Sequence, residues 1–270
     1  MGDAAANGRN RGRLASILLA RQPRFTDSTN DSTATAKSKD GYTMAVSFWI
    51  ADPPQLSLFS IHCSKPPASR HKAYPDFLVL PQVVGADGPF VLLRAGFYAG
   101  AGSREYFLYK AAGDAPPSLE RIPTPDEFGS DGDDLRGVRE FGILGQGGHY
   151  LVAALRDAPS SSGDDYQLRI YSSERKSWST RTLQNPCPGV DRVIADKVIT
   201  LGQGGLLGWV DLSHGLLVCD LLRLQDPDPT AAAGGGVSFF IPMPEPLPGN
   251  RYKEKYPILL NIRHKCPALN

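Results

Sequence analysis

The sequence predicts an all-β chain, an incomplete β-propeller-like array of four-stranded antiparallel blades. Three observations predict it: a template of two apolar runs around a glycine-rich tetrad occurs three times, two further short strands follow each copy, and helical periodicity is nearly absent. The 270-residue chain also contains 28 glycines and 23 prolines. Turn-forming residues at this frequency suit many short strands better than helices.

The three copies of the template are VVGADGPFVLLRA (83–95), ILGQGGHYLVAAL (143–155) and TLGQGGLLGWVDL (200–212). With Gly85, Gly145 and Gly202 taken as equivalent, the copies recur roughly every 60 residues, a period typical of repeat architectures. Each copy is predicted to form a hairpin. The second strand of each hairpin is almost continuously apolar, which is typical of a strand buried on both faces.

Two further strands complete each unit. The third strands are predicted at 105–111, 166–172 and 215–222, and the fourth strands at 118–123, 178–183 and 237–242. The blade-like units therefore cover about residues 77–123, 138–183 and 190–242. The segment LLRLQ, which starts at Leu221, has some helical character but is too short to stand alone, so we predict no helix there.

The propeller-like domain is predicted to span residues 42–250. Residues 1–41 are predicted to be largely disordered, with one possible strand at 14–20 and a flexible loop, rich in Ser and Thr, after it. The strands YTMAVSFWI and LSLFSIHC then supply part of a fourth blade. Residues 251–270 form a divergent C-terminal tail.

Composition and charge weigh against several function classes. The net charge of +1 favours neither nucleic acid nor an anionic membrane surface, and no apolar run has the length of a membrane span. The cysteines lack the spacing of a disulfide framework, which predicts thiols in a reducing compartment, the cytoplasm or the nucleus. The Arg-, Ser- and Thr-rich first forty residues leave an organellar transit peptide as the alternative.

The sequence shows no catalytic, cofactor or metal constellation. The GQGG tetrads lack the following helix and the Lys-Ser/Thr pair of a phosphate loop, so we interpret them as hairpin turns with positive φ. The His and Cys residues lack zinc-knuckle spacing, and the acidic clusters at 131–134 and 164–165 lack a calcium-loop pattern. Paired carboxylates for sugar cleavage stay open as an alternative, because their separation is spatial.

The segment LGWVDLSHGLLVCDLL (207–222) is interpreted as two strands around a DLSHG turn. Trp209 is expected to pack between blades, and Asp211 and Asp220 to accept hydrogen bonds at strand ends. His214 is expected to be exposed in the turn. A ligand contact at the rim of the propeller is the functional alternative.

VITLGQGG (198–205), followed by this segment and by VSFFIPMPEPLPGNR (237–251), resembles a plant family expanded in grasses, the domain of unknown function 1618. FWIADPPQLSLFSIHC (48–63) and QLRIYSSERKSWSTRTL (167–183) are similar to it as well. The family has no assigned activity, and its members resemble kelch-like propellers attached to F-box domains, so the resemblance implies a fold. The family-motif residues, expected to be structural, are Gly202, Gly204, Gly205, Trp209, Asp211, Gly215, Cys219 and Asp220.

Two departures from the family shape the functional prediction. Family members continue with further strands past PLPGNR, whereas this tail does not match, and no F-box pattern precedes the repeats. A truncated array is expected to have an open sheet edge and to self-associate or be covered by a partner. The function predicted is a non-catalytic protein-interaction module with an unknown protein partner, no cofactor, no nucleic acid and no membrane. The alternatives are a carbohydrate-active hydrolase and a family member without an independent function.

Overall fold

A computed structural model describes residues 17–64, 77–97, 104–123, 140–157, 165–186, 193–202, 204–225 and 237–244. Within these ranges the chain forms seventeen strands, arranged in four sheets, and one five-residue helix. The prediction of an all-β, incomplete propeller-like array of four-stranded antiparallel sheets is confirmed. This part of the chain includes no helix with the length and apolar character that crossing a membrane requires.

The first sheet is built from the amino-terminal residues. Its antiparallel strands are β3 (Ala34–Lys37), β4 (Thr43–Trp49) and β5 (Leu56–Ser64). Two short strands, β1 (Leu18–Leu19) and β2 (Arg24–Phe25), pair in parallel with the other side of β5. The strand expected at 14–20 is therefore represented by β1, and residues 14–16 lie outside the described residues.

Residues 21–41 differ from the flexible loop that the sequence predicts, because β2 and β3 lie within them. Polar side chains hold the connection between these strands. Ser32 Oγ accepts the Phe48 N–H at 2.7 Å, and Asn30 Oδ1 accepts the Ser32 N–H at 2.9 Å. The Tyr109 hydroxyl donates to the Ser32 carbonyl at 2.8 Å. Short polar side chains, which indicate a loop, here satisfy backbone groups and order the segment.

The second sheet is the meander β6 (Phe77–Asp87), β7 (Phe90–Phe97), β8 (Arg104–Lys110) and β9 (Ser118–Ile122). The chain divides into two compact units: the first comprises residues 1–83 and 94–122, and the second comprises 84–93 and 123–270. Strand β7 is buried along almost its whole length, as its continuous apolar sequence predicts.

The third and fourth sheets belong to the second unit and are simple antiparallel meanders. The third comprises β10 (Phe141–Gln146), β11 (His149–Asp157), β12 (Asp165–Ser172) and β13 (Ser177–Gln184). The fourth comprises β14 (Lys197–Leu201), β15 (Leu206–Asp211), β16 (Gly215–Asp220) and β17 (Ser238–Pro242). The hairpins β6–β7, β10–β11 and β14–β15 are the three copies of the sequence template.

The third and fourth sheets pack on each other. Thr200 Oγ1 in β14 donates to the Ile143 carbonyl in β10 at 3.1 Å. Gly142 of β10 lies so close to the fourth sheet that a Cβ there would approach Val198 Cγ1 to 2.6 Å. The two sheets share one core, whose buried side chains include Leu168, Trp209 and Leu217. One face of each sheet is thereby removed from water, which is the main stabilising contribution in such a fold.

Of the three glycines that the sequence comparison made equivalent, Gly202 lies in a hairpin turn, whereas Gly85 and Gly145 do not. Gly85 and Gly145 lie inside β6 and β10. The turn glycines with positive φ are Gly88 (56°), Gly147 (60°), Gly202 (63°) and Gly205 (83°). The three hairpins repeat as the sequence predicts. Gly88 and Gly205 occupy the same place in the template and both have positive φ, whereas in the second copy the positive φ falls one residue earlier, at Gly147. A sequence template cannot distinguish a glycine in a strand from one in the adjoining turn.

The helix α1 (Leu221–Gln225) follows β16 directly, where the sequence predicts a longer strand and no helix. Asp220 Oδ1 accepts the backbone N–H groups of Leu222 and Arg223, each at 3.1 Å, and so caps the first turn. Leu221 and Leu224 are buried in the shared core. Capping and burial together stabilise a helix that is too short to form in isolation.

Candidate interaction surface

The DLSHG segment forms the β15–β16 turn, and Asp211 organises it. The Asp211 side chain is buried. Its Oδ2 accepts the Ile194 N–H at 2.9 Å, and its Oδ1 accepts the N–H groups of Ser213 at 2.8 Å and His214 at 3.1 Å. The carboxylate therefore joins the turn to the segment that precedes β14, which is the hydrogen-bonding role expected of a carboxylate at a strand end.

His214 is partly buried and paired, whereas the sequence predicts it to be exposed. Its Nδ1 lies 3.0 Å from Asp211 Oδ2. Burial alone would raise the pKa of Asp211, but hydrogen bonds from Ile194, His214 and Ser213, with the charge of His214, outweigh burial and lower that pKa overall. Asp211 is therefore a carboxylate held ionised by its own turn.

The motif glycines permit tight turns and close packing. A side chain at Gly205, where φ is +83°, would collide with Leu222, and one at Gly215, where φ is +149°, would collide with the Ile241 carbonyl. Gly202 has positive φ but faces open space, and Gly204 also faces open space. Gly202, Gly205 and Gly215 therefore have backbone roles, and the last two positions exclude any side chain, whereas nothing in the geometry requires glycine at position 204.

Two motif residues are packing residues of the shared core. Trp209 is almost fully buried, and its indole Nε1 has no hydrogen-bond partner. Cys219 is fully buried, and burial raises the pKa of its thiol to about 12. A thiol in this state is protonated at neutral pH and is a poor nucleophile.

A buried carboxylate that the sequence did not single out lies in β8. Glu105 accepts the Lys39 N–H at 2.8 Å, and Arg121 Nε is 3.8 Å from Glu105 Oε2. Burial raises the pKa of Glu105, and the Lys39 bond and the Arg121 charge offset this only in part. The one feature of the sequence that could have indicated this buried carboxylate is its position next to an apolar run. Among the described residues, no three His, Cys, Asp or Glu side chains are grouped so as to hold a metal ion.

Exposed apolar side chains gather on one face of the first sheet. Leu18 of β1 pairs with Leu56 of β5, and these residues are 50% and 53% exposed. Trp49 pairs with Leu58, two residues along β5 from Leu56, so all of these side chains share a face. Ile50 follows Trp49 and is also exposed. We call Leu18, Trp49, Ile50 and Leu56 the amino-terminal apolar cluster.

A second apolar surface is the outer face of the fourth sheet, opposite the side chains that pack on the third sheet. Residues that are cross-strand partners form three rows on this outer face. The first row is Lys197, Val210, Leu216 and Ile241, the second is Ile199, Gly208, Val218 and Phe239, and the third is Leu201, Leu206 and Asp220. Phe239 and Ile241 are 43% and 48% exposed. Leu212 and Met243, at the ends of the adjoining strands, complete the exposed large apolar side chains among the described residues of the second unit.

Comparisons of the chain with protein-family models, with curated proteins and with solved structures find no match in any of the three.

Proposed function

We propose that this chain is a non-catalytic protein-interaction module of the β-propeller type, and that its amino-terminal apolar cluster is a protein-binding surface. The observation that carries the proposal is the grouping of Leu18, Trp49 and Leu56 on one sheet face, all of them exposed, with the exposed Ile50 next to Trp49 in the chain. Contiguous exposed apolar side chains mark interaction sites, and tryptophan is prominent among the residues that anchor interfaces.

The sheet beneath the cluster is packed on its opposite face. On its opposite face, Phe48 contacts Tyr109, with ring centroids 4.4 Å apart, and stacks with Phe59 at 5.8 Å. Val46 and Ile61 are fully buried on the same side. A binding surface on a packed sheet loses little conformational entropy when a partner docks, which favours affinity for a given contact area.

The buried carboxylates favour binding over sugar hydrolysis. Glu105 accepts the Lys39 N–H, and Asp211 accepts the N–H groups of Ile194 and Ser213, so each carboxylate has a hydrogen-bonding role within its own unit. A glycosidase requires two carboxyl groups that flank one scissile bond. The same proposal has three further parts. The chain belongs to the plant family that residues 207–251 resemble, it has the kelch-like fold of that family, and it is located in the cytoplasm or the nucleus.

The test is quantitative affinity capture from a lysate of the source cells with the immobilised full chain. Three baits are compared: wild type, Leu56→Lys in the cluster, and Leu78→Lys as a control at a β6 position that is 50% exposed. We expect partners that wild type and Leu78→Lys enrich and that Leu56→Lys loses, with circular dichroism unchanged. Equal enrichment by all three baits would refute the cluster as the binding surface, and cleavage of a glycoside panel would establish the hydrolase instead.

A further inference from the structure

We propose that the outer edge of β13 binds an extended segment of a partner protein, which joins the third sheet as a fifth strand. This inference goes beyond the proposed function, because it assigns a different surface and a different kind of contact. Strand β13 is the last strand of the third sheet, and among the described residues it pairs with β12 alone. Five of its eight residues are exposed: Ser177, Ser179, Thr180, Thr182 and Gln184.

The hydrogen bonds of the third sheet show which backbone groups of β13 point outwards. Ser173 N–H donates to the Tyr150 carbonyl at 3.1 Å, so the odd-numbered residues of β12 bond β11 and the even-numbered residues bond β13. Ile170 therefore bonds its cross-strand partner Ser179, whose hydroxyl also donates to the Ile170 carbonyl at 3.4 Å. The residues that alternate with Ser179 each present one N–H and one C=O outwards: Trp178, Thr180, Thr182 and Gln184.

This edge lacks the features that normally prevent the addition of a strand. Its pairing with β12 runs without a bulge from Ser177 to Gln184, and the strand contains neither proline nor lysine. The last strand of the fourth sheet is different, because β17 is shorter and contains Pro242. The one charged side chain of β13, Arg181, donates from Nε to the Leu224 carbonyl at 3.0 Å, so it is directed towards α1. The edge is therefore a template for another strand.

Of the two occupants that the sequence leaves open, a second copy or a partner, the flanks of this edge favour a partner segment. Trp178 and Arg181 point to opposite faces of the sheet, because they are separated by an odd number of residues. On one face the Trp178 indole N–H donates to the Pro123 carbonyl at 2.6 Å, and on the other face Arg181 bonds α1. An extended segment needs only the width of one strand, about 4.8 Å, between these flanks. A second copy would bring a whole sheet with its own packed faces.

The charges along the edge predict the polarity of the segment. Arg175 and Lys176 are exposed in the turn that precedes β13, with Glu174 beside them. Asp165 lies across from Gln184 at the other end of the strand. The turn therefore has a net positive charge, and the far end of β13 has a carboxylate beside it. A segment that pairs antiparallel to β13 places its carboxyl-terminal end at the turn, so we expect acidic residues there and β-branched residues before them.

The test is selection from a phage-displayed library of random peptides of about ten residues on the immobilised full chain. We expect enriched peptides that are rich in Thr, Val and Ile and acidic towards the carboxyl end. Thr180→Pro removes one outward N–H and no bond to β12, so it is expected to weaken the binding of these peptides at least about tenfold. Thr180→Ala keeps the N–H and is the matched control, with affinity expected within about twofold of wild type.

Hydrogen exchange of the wild-type chain is a second readout, which needs no substitution. The amides of Thr180 and Thr182 should exchange more slowly once a selected peptide is bound, because they then donate to its carbonyls. If Thr180→Pro fails to fold, Thr182→Pro and the exchange measurement keep the test decisive. A selection without enriched peptides would overturn the proposal. So would peptides that bind Thr180→Pro as tightly as wild type, or that leave both amides unprotected.

Sedimentation of the full chain distinguishes the other occupant. A mass that rises towards two chains with concentration, and that stays at one chain in Thr180→Pro, would assign the edge to a second copy and overturn the partner segment. Leu56→Lys, in the amino-terminal apolar cluster, should bind the selected peptides as wild type does. Either proposal can therefore fail without the other.

Discussion

Nδ1 of His214 lies 3.0 Å from Oδ2 of Asp211, and the same carboxylate accepts three backbone N–H groups. One side chain thus accepts hydrogen bonds from backbone N–H groups both in the β15–β16 turn and in the segment that precedes β14. Truncating it would leave several donors without an acceptor in a largely buried place, and the cost of unsatisfied buried groups exceeds the value of any single bond.

Asp211→Ala is expected to lower the free energy of unfolding by about 2 to 4 kcal/mol at neutral pH, because the Ile194, Ser213 and His214 N–H groups lose their acceptor. Urea denaturation measures this loss. Asp196→Ala is the control, since Asp196 Oδ2 accepts the Leu212 N–H in an exposed setting, and it is expected to cost about 1 kcal/mol or less. Equal costs for the two variants would contradict the role of Asp211.

The contribution of Asp211 depends on pH in a defined direction. Its pKa is lower in the folded protein than its ordinary value of 3.8, so folding favours the ionised form. The stabilisation is complete above that ordinary value and is lost as the pH falls through the lower folded-state pKa. The stability difference between wild type and Asp211→Asn should therefore narrow in acid, and a difference that widens there would contradict the assignment.

Glu105 is expected to show the opposite behaviour. Burial raises its pKa, so the folded state disfavours the carboxylate, and the resulting penalty is present above the ordinary value of 4.5. Glu105→Gln keeps an acceptor for the Lys39 N–H without the buried charge, so the variant should be as stable as wild type or more stable at pH 7. This advantage should shrink as the pH falls through the folded-state pKa. Thermal melts across pH 4 to 8 test it, with the exposed Glu120→Gln as control.

The glycines of the β14–β15 turn allow a graded test of backbone strain. Gly205→Ala should destabilise most, by about 3 kcal/mol or more, since it combines positive φ with a collision against Leu222. Gly202→Ala has only the positive φ and should cost about 1 to 2 kcal/mol. Gly204→Ala faces open space and should be close to neutral. Chemical denaturation of the three variants should reproduce this order, and a different order would contradict the turn geometry.

Trp209 combines a large buried ring with an indole N–H that has no partner. Trp209→Phe removes this donor and keeps much of the packing, so it should cost about 1.5 kcal/mol or less. Trp209→Ala should cost about 3 to 5 kcal/mol, because it opens a cavity between the third and fourth sheets. Equilibrium unfolding of both variants distinguishes the contributions. Equal losses would show that the indole N–H is important to the fold.

Much of the fold could be predicted from local pattern. Alternation, continuous apolar runs and turn formers identify the hairpins β6–β7, β10–β11 and β14–β15, because strand periodicity and hairpin chemistry act over a few residues. Helix α1 could not be predicted in the same way. Its five residues form a helix because Asp220 caps it and the core buries Leu221 and Leu224, and both contributions come from tertiary contacts.

The exposed apolar surfaces could not be predicted from the sequence, for a related reason. The sequence pattern of an apolar strand is the same whether a given face of the strand is buried or exposed to solvent. Leu56 and Ile241 could therefore not be distinguished from core residues. The burial of Glu105 could not be predicted, because a charged side chain in a strand is normally expected to be exposed to solvent. Only the contacts with Lys39 and Arg121 in the folded protein show that this carboxylate is buried and paired.

By itself, the sequence determined an all-β chain, the repetition of its four-stranded units and the hairpin turns, since these follow from side-chain period and backbone preference along a short stretch of chain. Only the tertiary structure decided which glycine takes the positive φ, which carboxylates are buried, and which apolar faces are left open. Those properties depend on neighbours that are distant in sequence, and burial changes both the pKa of a side chain and its hydrogen-bond partners.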